Sequence, residues 1–128
     1  MTIVVDSQGE AQRLTLYLSG PMSGIPDFNY PLFTDAAAHL RRLGFDVISP
    51  HELDSEAGVD LDAFTEADRR AALARDVAAV TRADGVAVLP GWEQSSGARA
   101  ELALAVAIPI PARTVEEWAD EARKESAA

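Results

Sequence analysis

The run Asp84-Gly-Val-Ala-Val-Leu89 constrains this chain more than any other stretch. It is apolar without alternation, so neither face suits water, and such a strand belongs inside a parallel sheet covered by helices. Pro90 and Gly91 then turn the backbone, and either Ser95 or Ser96 can cap the helix that follows. At a strand–loop–helix corner of this kind the first helical N–H groups point outward with a partial positive charge, ready for an anion or a polar sugar group. Further along the helix, Glu101 stands among Ala98, Ala100, Leu102, Ala103 and Leu104 as its only acid, placed on the exposed face. A lone acid there is either a solvated residue or a catalytic one.

Around this corner the chain alternates strands and helices. Met1 to Gln12 holds Ile3-Val4-Val5 and is either an edge strand or a loose arm. Arg13 to Ser19 is the first core strand and ends in the loop Gly20-Pro-Met-Ser-Gly24, whose glycines allow close backbone approach to a ligand. That loop has neither Walker nor Gly-x-Gly-x-x-Gly spacing. Asp27 or Asn29 can cap the next helix, with Pro31 in its first turn, Leu32, Phe33, Ala36, Ala37, Leu40 and Leu43 at helical spacing, and Gly44 as its stop. Phe45 to Ser49 is the second strand, stopped by Pro50, and should lie parallel to the first after a right-handed crossover.

Glu52 to Asp62 is acidic and is expected as a loop, with His51 also on a loop and His39 on a helix surface. Thr65 with Asp68 starts a helix to about Arg82, its apolar side made of Ala71, Ala72, Leu73, Val77 and Val80. Asp76 shares that side and is therefore a rim residue or a deliberate intrusion. After the Glu101 helix, Ile108-Pro-Ile110 is expected as the last strand, on an edge that tolerates proline. Thr114-Val-Glu-Glu117 is a capping box for a final helix to about Lys124 anchored by Trp118, and residues 126–128 are expected to fray.

The alternation predicts one α/β domain over residues 1–128, an open, mostly parallel sheet of four to five strands with helices on both faces, flavodoxin- or Rossmann-like. In such folds ligands bind at the carboxyl ends of the strands, which brings Gly20 to Gly24, Ser49 to His51 and Gly91 to Gly97 around one crevice. A chain of 128 residues can form a core, while its short length suggests that a cleft is completed by a second subunit. Its formal charge of −10 argues against duplex nucleic acid, whose phosphates require cationic replacement of counterions. With no cysteine, thiol nucleophiles and disulfides are excluded. Two histidines at unrelated positions make no metal site, and no cofactor is expected. No apolar run approaches about 18 residues and no leader is seen, so a cytoplasmic protein without membrane partners is expected.

Tyr17-Leu-Ser-Gly-Pro-Met-Ser-Gly24, Arg75-Asp76 and Ser95-Ser-Gly-Ala-Arg-Ala-Glu101, in this order, resemble the nucleoside 2-deoxyribosyltransferase-like superfamily. The likeness spans roughly residues 14 to 112. It is greatest to small phage and bacterial proteins of unassigned activity, related to the deoxynucleoside 5'-monophosphate N-glycosidases. The resemblance implies that Glu101 is the nucleophile, Asp76 the acid on the side of the base, and Tyr17 the residue holding the glutamate. Ser95 matches the serine that contacts a 5'-phosphate; Ser19, Gly20, Pro21, Met22, Ser23, Gly24, Trp92, Ser96 and Gly97, at or beside the crevice loops, are expected to bind substrate. A small-molecule nucleoside or nucleotide and a homodimer or higher homo-oligomer are implied as partners.

The chain departs from the glycosidases at Pro21 and Ser23, where they carry serine and arginine, and in a second loop lengthened by about one residue around Trp92 and Glu93. Asp84, at the start of a strand, lies opposite the crevice and is structural. The chemistry suits the residue types: cleavage of an N-glycosidic bond passes through an oxocarbenium-like state that a carboxylate traps as a sugar ester while a second acid assists the base. Water or another base then decides hydrolase versus transferase. Two rivals are a phosphoribohydrolase of the cytokinin-activating type, whose Pro-Gly-Gly-x-Gly-Thr signature is interrupted here, and a non-catalytic nucleotide- or partner-binding protein on the same fold.

Overall fold

The computed structural model describes residues 4–5 and 11–127. Val4–Val5 (β1) and Ala11–Gln12 (β2) pair antiparallel in a two-stranded sheet separate from the main one. The other residues expected in the amino-terminal edge strand or arm lie outside the described residues. Four strands form the main sheet: β3 (Thr15–Ser19), β4 (Asp46–Ile48), β5 (Gly85–Val88) and β6 (Ala112–Thr114), in the order β4-β3-β5-β6 and all parallel. With helices α1 (Tyr30–Arg42), α2 (Pro50–Glu56), α3 (Glu66–Val80), α4 (Ser96–Ala107) and α5 (Val115–Ala127), this is the expected flavodoxin- or Rossmann-like α/β architecture.

Side-chain alternation on β3 divides the molecule. Leu16 and Leu18 face one layer, where they pack with Phe33 and Leu40 of α1 and Trp118 of α5. Tyr17 faces the other layer, against Ala79 and Val80 of α3 and Ala105 of α4. Each fully buried Leu, Phe or Val contributes roughly 1.5–3 kcal/mol, so both layers are needed. Trp118 is the anchor expected: it donates from Nε1 to the Val86 carbonyl at 2.9 Å and lies edge-on to Phe45. A Cβ at Gly85 would stand 2.7 Å from its ring, so β5 carries glycine where the indole crosses it.

Several local expectations are corrected. The last strand is Ala112–Thr114 and not Ile108–Ile110, because α4 runs on to Ala107 and the Ile108 and Ile110 amides close its carboxyl end on Leu104 and Ala105. Pro109 and Pro111 have no N–H for a ladder, and pairing resumes only past them. Glu52 to Asp62 is no loop: Ser49 and Pro50 open α2, which also carries His51, and Leu61–Ala63 is a 3-10 turn. Its acids concealed an inner face on which Asp54 is buried.

Neither Asp27 nor Asn29 caps α1 through its side chain; both have left-handed backbone, as does Phe28, and Asn29 Nδ2 donates instead to the Pro21 carbonyl at 3.0 Å. Leu32, Ala71 and Leu73 are exposed rather than part of the buried faces, which on α3 centre on Asp76, Ala79 and Val80. Both capping boxes, Thr65 with Asp68 and Thr114 with Glu117, form. The final helix does not end at about Lys124 but continues through Ala127, over two of the residues expected to fray, while Ala128 is outside the described residues. No described helix is long and apolar enough to cross a membrane.

Candidate functional site

Strand order reverses between β3 and β5, and their carboxyl ends open on a cavity of about 320 Å³. That is the low end of the usual range for a small-ligand site, roughly 300–1,000 Å³. Its walls come from the loop after β3 (Gly20, Pro21, Met22, Ser23), the amino end of α4 (Ser95, Ser96, Gly97) and α3 (Arg69, Ala72, Leu73), with Glu101 and Asp76 between them. Gly20 admits no side chain, since a Cβ there would meet Leu89 at 2.7 Å.

Glu101 is buried, at 5 % exposure, and not on an exposed face as expected. On α4 it shares the inner stripe with Ala98 and Ala105, small residues that let the helix approach β3. There Ser19, pointing to the same side as Tyr17, donates its hydroxyl to Oε1 at 2.7 Å. Burial pushes the Glu101 carboxyl up to about 7, opposed by the hydrogen bond from Ser19 and by Tyr17. The Tyr17 hydroxyl is within electrostatic reach of Glu101 and Asp76, and burial with these two charges raises it well above the usual phenol range. It makes no hydrogen bond of full geometry.

Asp76 projects from the inner face of α3 at 8 % exposure. Burial pushes it up to about 8, assisted by the charges of Glu101 and Asp54 and opposed by Arg75. Its Oδ1, Tyr17 Oη and Arg75 Nε are the buried side-chain polar atoms without a hydrogen-bond partner among the described residues. All three belong to this one cluster, and unpaired buried groups are expensive unless a ligand or catalysis uses them. Among the described residues no group of three or more His, Cys, Asp and Glu could hold a metal ion.

Of the residues singled out in the sequence, Gly20 to Ser23, Asp76, Ser95 to Gly97 and Glu101 line the cavity, while Tyr17 and Ser19 lie buried behind it. Gly24 does not line it. Neither does Trp92, which packs half-buried against the α3–α4 side of the core, leaving Gln94 on the wall. Ser95 is the cap of α4, accepting from the Ala98 N–H at 3.1 Å, and Ser96 is already helical. Asp84 accepts the Thr15 N–H at 2.7 Å at the far end of the sheet, a structural contact.

Sequence reasoning missed Phe28, Asp54, Phe64 and Arg69. Phe28 reaches the cavity from the left-handed turn and meets Phe64 edge-to-face at 5.4 Å. Arg69 is the cation on the wall, though it also pairs with Glu66 at 3.5 Å. Only the Ser49-Pro50 helix start offered a signal for Asp54, and none in the periodicity pointed to the other three. No curated protein matches the chain. Over residues 14–112 the sequence fits the model of a family described as a domain of unknown function, DUF4406, and the chain belongs to that family.

Proposed function

We propose that this protein cleaves, or transfers across, the N-glycosidic bond of a deoxynucleoside or its 5'-monophosphate through a covalent glutamyl-sugar intermediate. The observation that carries this reading is an unequal pair of buried carboxyl groups on one cavity: Glu101 accepts a hydrogen bond from Ser19, and Asp76 has an oxygen with no partner. A donor favours the charged form, so Glu101 is the member that ionises first and Asp76 the one that keeps its proton. Two titratable groups driven apart by their surroundings divide base and acid roles between them.

In the first step a Glu101 oxygen attacks C1' and the C1'–N bond breaks. Its electron pair goes to the base, which takes the Asp76 proton. Water or a second base then attacks C1', releasing the glutamate, and Asp76 recovers a proton from the incoming nucleophile. The motif resemblance supports the same assignment and adds a homo-oligomer with a shared pocket, which a monomer mass in light scattering with activity retained would exclude.

Incubation with a panel of deoxynucleosides, ribonucleosides and their monophosphates, following free base, tests the reading. Release of base from deoxy substrates is the expected outcome. Release restricted to ribose monophosphates would instead mark a phosphoribohydrolase, and binding without release a non-catalytic protein.

A further inference from the structure

Asp54 falls in a stretch expected as a loop, yet it is 6 % exposed and lines the same cavity as Asp76. Both of its oxygens are occupied: Oδ2 accepts the Tyr30 hydroxyl at 2.9 Å, and Oδ1 accepts Arg75 Nη2 at 3.2 Å. Arg75 precedes Asp76 in the chain and is a cation that acts on it electrostatically. Its guanidinium turns to Asp54 instead, leaving Asp76 Oδ1 without a partner.

We propose that Asp54 is a positioning residue for Asp76: by drawing Arg75 away and setting its own carboxylate on the same cavity, it keeps the proton on Asp76. The groups that face Asp76 agree with this arrangement. From α4 comes Glu101, from α2 Asp54, from β3 Tyr17 and from α1 Tyr30, all acids or phenols. On α3 itself are Arg75, held by Asp54, and Arg69, which shares the cavity wall and pairs with Glu66. Ionising Asp76 would add a further anion to this cluster with no cation freed to meet it, and like charges at close range resist that. Two donors, one on each oxygen of Asp54, hold the carboxylate in place beside the cavity.

The inference takes its catalytic meaning from the glycosidase reading above, and its test does not depend on turnover. The carboxyl carbon of Asp76, assigned by its loss in Asp76→Asn, is titrated by 13C NMR in the wild-type protein and in two variants. Asp54→Asn removes the charge and frees Arg75, so the Asp76 midpoint should fall by about one pH unit. Arg75→Gln removes the cation and leaves Asp54 unneutralised, so the midpoint should rise by a similar amount. Opposite shifts from two partners of one ion pair are not what a merely structural role produces. An unchanged midpoint in either folded variant, or shifts in the same direction, would overturn the proposal. Where Asp54→Asn does not fold, Asp54→Ser, which removes the charge and keeps an acceptor for Tyr30, replaces it: a fall in the Asp76 midpoint supports the proposal and no fall defeats it. Absence of base release by the wild-type protein would defeat the glycosidase reading and leave this titration fully interpretable.

Discussion

The Ser19 hydroxyl donates to Glu101 Oε1 at 2.7 Å, linking the last residue of β3 to the middle of a helix 82 residues later. Both partners are buried, so this bond acts on the acidity of Glu101 with little screening. A hydrogen bond to a charged group contributes about 1.5–3 kcal/mol, or one to two pH units. Ser19→Ala is expected to raise Glu101 further. The acid limb of kcat/KM should move to higher pH by about one unit, with activity at pH 7 down roughly fivefold; the moved limb then meets the Asp76 limb near 8, so raising the pH restores the activity only in part. An unmoved acid limb would mean that the bond does not tune the carboxylate.

Glu101→Gln should keep the fold, since shape and burial are preserved, and reduce base release by at least about a hundredfold. Circular dichroism establishes the fold and single-turnover assays the loss. Turnover near wild type would exclude the nucleophile assignment.

Asp76→Asn separates two consequences of the raised carboxyl. The native state holds this proton up to about pH 8 while an unfolded chain releases it near 3.8. Between those values the native state binds more protons, so stability falls as pH rises, with a slope approaching about 1.4 kcal/mol per pH unit for each such group. Asparagine cannot ionise. The variant should therefore be more stable than wild type by about 2–4 kcal/mol at pH 8 and nearly equal to it at pH 4 in urea unfolding. In catalysis the same variant should lose the alkaline limb and release natural bases slowly while sparing substrates with pre-activated leaving groups. Equal rate losses on both kinds of substrate would contradict proton donation.

Ser95→Ala addresses the 5' end of the substrate. Its hydroxyl caps α4, so the substitution should cost about 1 kcal/mol of stability. The helix amino terminus favours an anion, the first loop supplies no cation, and Arg69 on α3 is the cation on the cavity wall. Monophosphates should be preferred over nucleosides by a modest factor, and Ser95→Ala should shrink it. Measuring kcat/KM for one deoxynucleoside and its monophosphate in both proteins decides the matter: equal losses would leave Ser95 as a cap alone.

Local chemistry dictated the strand within Asp84 to Leu89, the Thr65 and Thr114 capping boxes, a serine cap at Ser95 or Ser96 and the parallel α/β alternation. Each depends on contacts within a few residues, or on a periodicity that survives any packing. The strand-end rule for open α/β sheets put the loop after β3 and the start of α4 at the carboxyl end of the sheet, while Glu101 and Asp76 were assigned to the site by the motif resemblance and not by periodicity. Whether Glu101 faced water or the core was beyond it, because the answer lies in Ser19 and in two alanines that let α4 approach β3. Tertiary structure alone drew Asp54 and Arg75 together across 21 residues and carried Phe28 to Phe64. It also withdrew Trp92 from the cavity. Those placements depend on how helices settle on the two faces of a twisted sheet, a property of summed packing that no single stretch of chain encodes.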